Sequence, residues 1–360
     1  MTSVAIVLFS LLSSCYSQPT SSEVKNDASD SDFKVVGYLM ASNFNKIDLI
    51  ELDRLTHLNL AFANPGTQGN LVFSDDADIK PVIKKAHDHG LKVFISLAGG
   101  GNPDKEAWKS ALDPLQRTVF INNILSFVET NNLDGVDVDI EWNLLPSIGD
   151  LYTPFVVELS AALLEKGKSI TTALGASGLH EAVTQESLEA YDFINVMVYD
   201  KTGVWKPDDI GPHSPYSYAE EAIRYWTIER DIPAERIVLG IPFYGIDFAT
   251  PARYISYRDL IKEDPSNAYQ DSVGLKYYNG IPTVVKKTEL AKMELGGVMI
   301  WEVSQDTIGP MSLLRAIDQS LKAGDCKVSI YYRDENGDGL GDPNQPFHSC
   351  SAPEGYVADH

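Results

Sequence analysis

Eight short apolar runs recur between residues 35 and 301, and each has the length and composition of a β-strand. They begin at Val35, His57, Lys92, Gly135, Ser169, Phe193, Ile237 and Gly296. Most of the segments between them carry apolar residues at three- and four-residue steps, as in "PLQRTVFINNILSFVETNN", which is typical of amphipathic helices. Strands that alternate with helices in this way predict one α/β domain, a (β/α)8 TIM barrel. The alternative is a doubly wound open sheet, but no GxGxxG follows the first strand.

The fourth run, "GVDVDIEW", is unusual because its polar positions are all acidic. Alternate side chains of a strand share a face, so the run has one apolar row and one acidic row. The rows are Val136, Val138 and Ile140, and Asp137, Asp139 and Glu141. Barrel strands are buried on both faces, so we expect the apolar row to face the helices and the acidic row to face the barrel axis. Glu141 would then lie nearest the C-terminal rim, where barrel enzymes keep their active sites.

Three interpretations of the acidic row are open. Buried carboxylates without a function are rare, which counts against a purely structural polar cluster. A Mg²⁺ or Ca²⁺ site is a second interpretation, but side chains two residues apart on a strand project in parallel, about 6.6 Å apart, and do not converge on one ion. The third is glycoside hydrolysis with Glu141 as the acid, since like charges in a low-dielectric site keep at least one proton bound. Glycosidases ordinarily flank the bond with two carboxylates, which one strand cannot supply.

The stretch "LDGVDVDIEW" resembles the DxxDxDxE signature of glycoside hydrolase family 18, the chitinases and related endo-β-N-acetylglucosaminidases. Its four acidic positions are matched by Asp134, Asp137, Asp139 and Glu141. Further stretches resemble the family in the same order along the chain. They are "KVFISLAGG" for its SxGG strand, with Ala98 where the first Gly is usual, "INVMVYD" for its MxYD motif, "GIPFYG", and "GGVMIWE" for its last strand. The resemblance covers roughly residues 33–324.

The resemblance implies a reaction in which the substrate supplies the nucleophile, an exception to the two-carboxylate rule. Glu141 would protonate the glycosidic oxygen, and the 2-acetamido carbonyl of the sugar would attack the anomeric carbon, giving an oxazolinium ion with retention. Asp139 would orient the acetamido N–H, Asp137 would tune Asp139, and Tyr199 would donate a hydrogen bond to the acetamido oxygen. Rings at strand ends and the other MxYD residues complete the predicted substrate-binding set: Tyr38, Phe62, Met197, Asp200, Tyr244 and Trp301.

We therefore predict a monomeric chitinase that hydrolyses β-1,4 linkages between N-acetylglucosamine units of chitin or chitooligosaccharides, with no cofactor for catalysis. The motifs do not separate chitin from the chitobiose core of N-glycans, so an endo-β-N-acetylglucosaminidase is one alternative. A non-catalytic chitin-binding lectin is another, although Glu141 is present. A mechanism with two protein carboxylates would need Asp200 or Glu302 as nucleophile. The segment between Gly245 and Gly296 is short, so we expect a small hairpin, a helix and an open cleft.

The charge balance narrows the range of partners. The 360 residues include 51 acidic and 29 basic side chains, which gives a formal net charge of −22 at pH 7. Binding to nucleic acid or to an anionic membrane surface needs clustered Lys and Arg, so neither is expected as a partner. An acidic chain suits an exported protein that acts on a neutral substrate.

The N-terminal segment resembles an export signal. Its apolar run from Val4 to Leu12 is too short to span a bilayer, and "LSSC" at its end resembles a bacterial lipoprotein cleavage box. We predict a signal peptide over residues 1–15 with Cys15 as the lipidated residue, followed by a flexible tether over residues 16–32. The chain would be anchored by lipid at the bacterial cell surface or outer membrane. Because no Lys or Arg precedes the apolar run, simple secretion and a retained buried segment are the alternatives.

Residues 325–360 form an Asp-rich tail in which acidic residues alternate with glycines, as in calcium loops. The candidate calcium ligands are Asp334, Asn336, Asp338 and Asp342. Gln345 stands where an EF-hand loop has Glu, so a plain acidic, turn-rich tail is the alternative to a structural Ca²⁺ site. We expect Cys326 and Cys350 to form a disulfide that stabilises a segment too small for its own core, and two free thiols are the alternative.

Overall fold

The computed structural model describes residues 33–66, 69–73, 77–323, 329–334, 337–349, 352 and 355–359, with the backbone alone at 329–330 and 343–349. Eight parallel strands form a closed barrel, because the first strand pairs with both the second and the eighth. In chain order they are β1 (Lys34–Met40), β2 (His57–Pro65), β3 (Lys92–Ala98), β4 (Gly135–Asp139), β5 (Ser169–Gly175), β6 (Phe193–Met197), β7 (Ile237–Pro242) and β8 (Gly297–Trp301). The predicted TIM barrel is confirmed, and each apolar run overlaps one of its strands.

α-Helices connect the strands and cover the outside of the barrel. Those of the described residues are Lys80–Asp88, Lys105–Leu112, Arg117–Thr130, Leu145–Ile148, Tyr152–Glu165, Gln185–Glu189, Tyr216–Arg224, Tyr257–Glu263, Ile281–Glu294 and Leu313–Lys322. Several begin where a polar side chain satisfies backbone N–H groups that have no helical partner. Asp104, for example, accepts hydrogen bonds from the N–H groups of Glu106 and Ala107.

The barrel wall separates two layers of buried side chains. The outward row of β4, Val136, Val138 and Ile140, is fully buried in the large cluster that packs against the helices. A second, smaller cluster fills the barrel interior, with Phe94 and Phe193 among its members. Because the apolar row occupies the outer layer, the alternate residues of the same strand must point toward the barrel axis.

The chain between β7 and β8 forms more structure than the hairpin and helix expected from the sequence. Four short strands make an antiparallel sheet in the order Arg253–Ser256, Tyr244–Asp247, Lys276–Tyr277 and Ser272–Val273. None has more than four residues, which is too short for a periodic pattern to be read from the sequence. The sheet starts directly after β7 and therefore stands at the C-terminal rim of the barrel.

One helical stretch of the described residues, Leu145–Glu165, is long and apolar enough to cross a membrane by length and composition alone. Within it, Phe155, Val156 and Leu159 have no exposed surface and belong to the core cluster around the barrel. The apolar composition of the stretch is accounted for by the core that it forms.

The C-terminal residues that the structure describes form a three-stranded antiparallel sheet, with Ser329–Arg333 between Asp342–Ser349 and Tyr356–Val357. The ring of Tyr356 contacts that of Tyr269, with centroids 6.0 Å apart. The described part of the tail therefore belongs to the same compact unit as the barrel.

The structure describes only part of the predicted calcium site. Both carboxylate oxygens of Asp334 accept hydrogen bonds from backbone N–H groups of residues 337–339, so this side chain closes a turn. Among the described residues, no group of three or more His, Cys, Asp or Glu side chains could hold a metal ion. Asn336 lies outside the described residues, as do Cys15, Cys326 and Cys350. Calcium binding, lipidation and the disulfide therefore stay predictions.

Candidate active site

A cleft of about 950 Å³ lies at the C-terminal end of the barrel. It is lined by residues at or near the C-terminal ends of most strands: Met40, Phe62, Ala98, Asp139, Gly175, Met197 and Trp301. Every charged residue that lines it is acidic, namely Asp139, Glu141 and Asp200. The position is the one at which TIM-barrel enzymes carry out their chemistry.

Asp137 is the deepest member of the acidic row and is fully buried. At one carboxylate oxygen it accepts hydrogen bonds from the hydroxyls of Tyr38 at 2.8 Å and Ser96 at 2.7 Å. At the other it accepts one from Thr171 at 2.7 Å and a longer one from Asn195 at 3.4 Å. Burial raises the pKa of Asp137, and the four donors oppose that rise. Donors on β1, β3, β5 and β6 therefore converge on one carboxylate of β4.

Asp139 lies between Asp137 and the cleft, and it is almost fully buried. Its Oδ1 has no hydrogen-bond partner in the part of the chain that the structure describes. Burial, followed by the charges of Glu141 and Asp137, raises the pKa of Asp139 well above its ordinary value. A buried acceptor without a donor is costly, so a ligand that brought an N–H group to this oxygen would gain a strong contact.

Glu141 is half-buried at the open end of the row and lines the cleft. Burial, followed by the charge of Asp200, raises the pKa of Glu141 to about 7. A carboxyl group with this pKa still carries its proton under mildly acidic conditions in which ordinary carboxyl groups are ionised. The raised pKa values along the row agree with the expectation that at least one of its carboxyl groups stays protonated.

The turn after β3 leaves room for the acid. Ala98 and Gly99 have positive φ angles of 74° and 84°, so the chain bends sharply there. A Cβ atom at Gly100 would lie 2.5 Å from Oε1 of Glu141, and one at Gly99 would lie 2.5 Å from ring carbons of Phe62. The two glycines of "AGG" are therefore needed where the backbone approaches functional side chains, whereas Ala98 accepts a conformation that favours glycine.

The chain beyond β6 places a hydroxyl and a carboxylate in the cleft wall. Among the residues that the structure describes, the hydroxyl of Tyr199 donates only to the sulfur of Met299, at 3.7 Å, which is a weak acceptor. Asp200, with a φ of 58°, accepts a hydrogen bond of 2.6 Å from the hydroxyl of Tyr244. Its backbone N–H faces Nδ1 of His213 at 3.5 Å. Asp200 is thus held in place, whereas the Tyr199 hydroxyl is free to take a stronger acceptor.

The predicted substrate-binding aromatics separate into two groups. Phe62 and Trp301 line the cleft with their rings stacked, 5.7 Å apart and inclined by 20°. Tyr38 and Tyr244 are only 1% and 4% exposed and lie behind the cleft wall, where their hydroxyls hold carboxylates. The aromatic floor is therefore built from Phe62 and Trp301, with Tyr38 packed 5.6 Å from Trp301 as its support.

The sequence did not single out several aromatic residues that line the cleft. Trp142, Trp205 and Tyr254 are 76%, 57% and 52% exposed, and Tyr218 also lies in the wall. Of these residues, only Trp142 could have been predicted from the sequence, because it directly follows Glu141. The others belong to loops, a helix or the short-stranded sheet, whose position over the cleft depends on tertiary structure.

Two acidic residues near the motifs lie outside the cleft. Glu302 is fully buried and accepts hydrogen bonds from Asn43 at 3.0 Å and from the Ser304 hydroxyl at 2.6 Å. Asp134 accepts hydrogen bonds of 2.8 Å from the N–H of Val93 and from His87. Glu302 is therefore not placed to act as a nucleophile, and Asp134 braces the start of β4 against its neighbours.

Comparisons with known proteins identify the family of this chain. Residues 34–306 match the model of glycosyl hydrolases family 18. The crystal structure of a family 18 chitinase from Flavobacterium johnsoniae is similar to this one, with 42% sequence identity and a TM-score of 0.77. The match covers 81% of this chain and 94% of that one. A chitinase from Bacteroides thetaiotaomicron has 28% identity and a TM-score of 0.71, covering 81% and 97%.

Among curated sequences, a chitinase-like effector of Moniliophthora roreri is 30% identical over 54% of this chain. The match spans 53% of that relative, about half of its length. The family model covers most of the chain. The matched residues include the barrel strands, the acidic row and the residues that line the cleft. The chain belongs to glycosyl hydrolase family 18 and has a chitinase-like fold.

Proposed function

We propose that this protein hydrolyses β-1,4 linkages between N-acetylglucosamine units with retention, and that the acetamido group of the substrate is the nucleophile. The observation that supports this most strongly is the pairing of two carboxyl groups in the cleft. Glu141 has a pKa of about 7, and beside it Oδ1 of Asp139 is buried with no hydrogen-bond partner among the described residues. One group can transfer a proton, and the other can accept an N–H.

Glu141 acts first as acid and then as base. Protonated, it gives its proton to the glycosidic oxygen as the bond to the leaving sugar breaks, and it is left as a carboxylate. In the second step the carboxylate takes a proton from a water molecule, which adds to the anomeric carbon and opens the oxazolinium ring. A pKa of about 7 suits both directions because the group gains and loses its proton with similar ease near neutral pH.

The neighbouring residues hold the acetamido group in line. Asp139 accepts the acetamido N–H at its free oxygen, which turns the carbonyl oxygen toward the anomeric carbon. The Tyr199 hydroxyl exchanges its weak contact with sulfur for the carbonyl oxygen. Asp137, fixed by four donors, lies deeper in the barrel, and its charge helps to raise the pKa of Asp139. Positioning of this kind can supply a large part of a rate enhancement.

A trapping experiment separates this mechanism from one with two protein carboxylates, in which Asp200 would be the nucleophile. A stable thiazoline analogue of the oxazolinium ion should inhibit strongly, because it resembles the intermediate and the transition states beside it. A 2-fluoro sugar should leave no covalent adduct. Recovery of an Asp200 glycosyl adduct by mass spectrometry, together with no inhibition by thiazoline, would rule out the acetamido mechanism.

The substrate class is proposed from the relatives and is open to direct test. The Flavobacterium johnsoniae and Bacteroides thetaiotaomicron proteins are named chitinases, which supports chitin or chitooligosaccharides as substrate. Digestion of chitohexaose and of a high-mannose glycoprotein, with products measured by mass, should give cleavage of the first alone. Cleavage of the glycoprotein would indicate an endo-β-N-acetylglucosaminidase, and binding without turnover of either would indicate a lectin.

The sequence alone supports two further proposals, on location and on calcium. We propose a monomer anchored by lipid at Cys15, so Cys15→Ser should move the protein from the membrane fraction to the soluble exported fraction. A wild-type protein already found in the soluble fraction would contradict this.

The second proposal is that the Asp-rich tail binds calcium. Calorimetric titration of the full chain with calcium, compared with Asp338→Asn, tests it. An absence of heat from the wild type would remove the calcium proposal.

A further inference from the structure

The chain that follows β6 forms a loop at the rim of the cleft, residues 200–214, which we call the rim loop. It supplies two of the residues that line the cleft, Asp200 and Trp205. The two ends of the loop are joined, since the N–H of Lys201 donates to the carbonyl of His213 at 2.9 Å. The geometry of the cleft wall therefore depends on how the base of the rim loop is held.

A buried lysine holds this base from below. Lys287, on the helix that precedes β8, has no exposed surface. Its Nζ donates three hydrogen bonds, to the carbonyl and the hydroxyl of Ser214 at 2.7 Å each and to Oδ1 of Asn279 at 2.8 Å. Because the Ser214 hydroxyl accepts from the ammonium group, its own hydrogen goes to the carbonyl of Val198, at 2.5 Å. Two hydrogen bonds thus link the ammonium group to the backbone just before Tyr199.

This arrangement is not one that stability alone would favour. All three hydrogen bonds of Lys287 go to neutral oxygens, and burial lowers the pKa of Lys287 to about 7. A cation buried among neutral groups costs folding free energy, because it gives up hydration without gaining an opposite charge in contact. A long apolar side chain would avoid the cost of the buried charge, but it would leave Oδ1 of Asn279 without its donor.

We propose that Lys287 is a positioning residue for the hydrolytic reaction, acting through Ser214 to fix Tyr199, Asp200 and the rim loop. It does not touch the cleft itself, since its contacts are with Ser214 and Asn279. Asn279 strengthens the same junction, because its Nδ2 donates to the Ser214 carbonyl at 2.9 Å. This inference rests on the proposed function, in which the hydroxyl of Tyr199 binds the acetamido oxygen.

The first test compares two substitutions on one helix. Lys287→Met keeps an unbranched side chain of similar length and removes all three donors. We expect kcat on a fluorogenic chitobioside to fall roughly tenfold or more, since small displacements caused far from the chemistry can cost up to about 100-fold. The thermal midpoint should fall by no more than about 2–4 °C, because the buried charge is removed while Oδ1 of Asn279 loses its donor, so unfolding does not account for the loss of kcat. Lys286→Met, on the exposed side of the helix, is the matched control and should change neither quantity.

A second variant tests the route through Ser214. Ser214→Ala should also lower kcat, and the double variant should fall no further than the more impaired single variant, because both act through one junction. If Lys287→Met does not fold, the kcat of Ser214→Ala alone tests the inference. A folded variant with kcat within threefold of the wild type, or losses that multiply in the double variant, would overturn the inference. An inactive wild type would instead overturn the proposed function.

Discussion

Replacing Glu141 by Gln removes a cleft carboxyl group with a pKa of about 7, and it keeps the shape and hydrogen-bonding reach of the side chain. The amide can donate a hydrogen bond to the glycosidic oxygen, but it cannot transfer a proton. Since general acid catalysis contributes roughly 10²–10⁴-fold, we expect kcat to fall by about that factor. Substrate affinity should persist, because the aromatic floor of Phe62 and Trp301 and the free oxygen of Asp139 are unchanged.

The pKa of Glu141 also sets the pH dependence of the wild type. The acid must carry its proton in the free enzyme, so kcat/KM should be constant at low pH and decline as the pH rises through about 7. With a single ionisation at this pKa, about 90% of the molecules are protonated at pH 6 and about 9% at pH 8, which gives a roughly tenfold decline. The decline should be absent from whatever activity remains in Glu141→Gln.

The assay is release of a fluorophore from a chitobioside between pH 5 and 9, with binding of chitohexaose measured by calorimetry for the variant. Glu165→Gln, an exposed position on an outer helix, serves as the matched control and should behave like the wild type. A Glu141→Gln variant with more than a tenth of wild-type turnover would show that another group is the acid. A wild-type profile without a decline near pH 7 would refute the assignment of the pKa.

Three further substitutions test other parts of the site. Asp200→Asn removes a charge that raises the pKa of Glu141, so the alkaline decline of kcat/KM should move to lower pH in a pH–rate profile. Trp142→Ala should raise KM for chitohexaose about two- to tenfold with little change for a chitobioside, since an aromatic contact contributes about 0.5–1.5 kcal/mol. Asp134→Ala leaves the Val93 N–H without its acceptor and should lower the free energy of unfolding by about 1–2 kcal/mol in urea titrations.

Each has an outcome that would contradict it. If the alkaline decline of kcat/KM stayed at the same pH in Asp200→Asn, the charge of Asp200 would not be a cause of the raised pKa of Glu141. Equal KM changes on short and long substrates would remove Trp142 from an extended subsite. Asp150→Ala, at an exposed position, is the control for Asp134→Ala, and equal stabilities of these two variants would show that the contacts of Asp134 do not brace β4.

The barrel could be predicted because its strands are long enough to show a pattern and are separated by amphipathic helices. The same reasoning was incomplete between β7 and β8, where the expected hairpin and helix are joined by further short strands in a four-stranded sheet. Such strands are stabilised by pairing with one another and by the barrel rim beneath them, neither of which is encoded as local periodicity.

The acidic row could also be predicted, because alternation on one strand determines which side chains share a face. Tyr38 and Tyr244 show the limit of that reasoning. Both lie near strand ends as expected, but only packing decides whether a ring faces the cleft or supports a carboxylate from behind. Trp205 and Tyr254 were missed for the opposite reason, since loop and sheet geometry brings them to the cleft from segments without a motif.

The four donors around Asp137 set a condition for anyone who would graft this chemistry onto another protein. The segment "DVDIE" can be copied in a few codons, but the hydroxyls of Tyr38, Ser96 and Thr171 and the amide of Asn195 come from four other strands. In a host barrel without them, the deep carboxyl group would keep its proton, adopt another rotamer and leave Asp139 unsupported. The smallest transferable unit is therefore a cross-section of the barrel and not the motif.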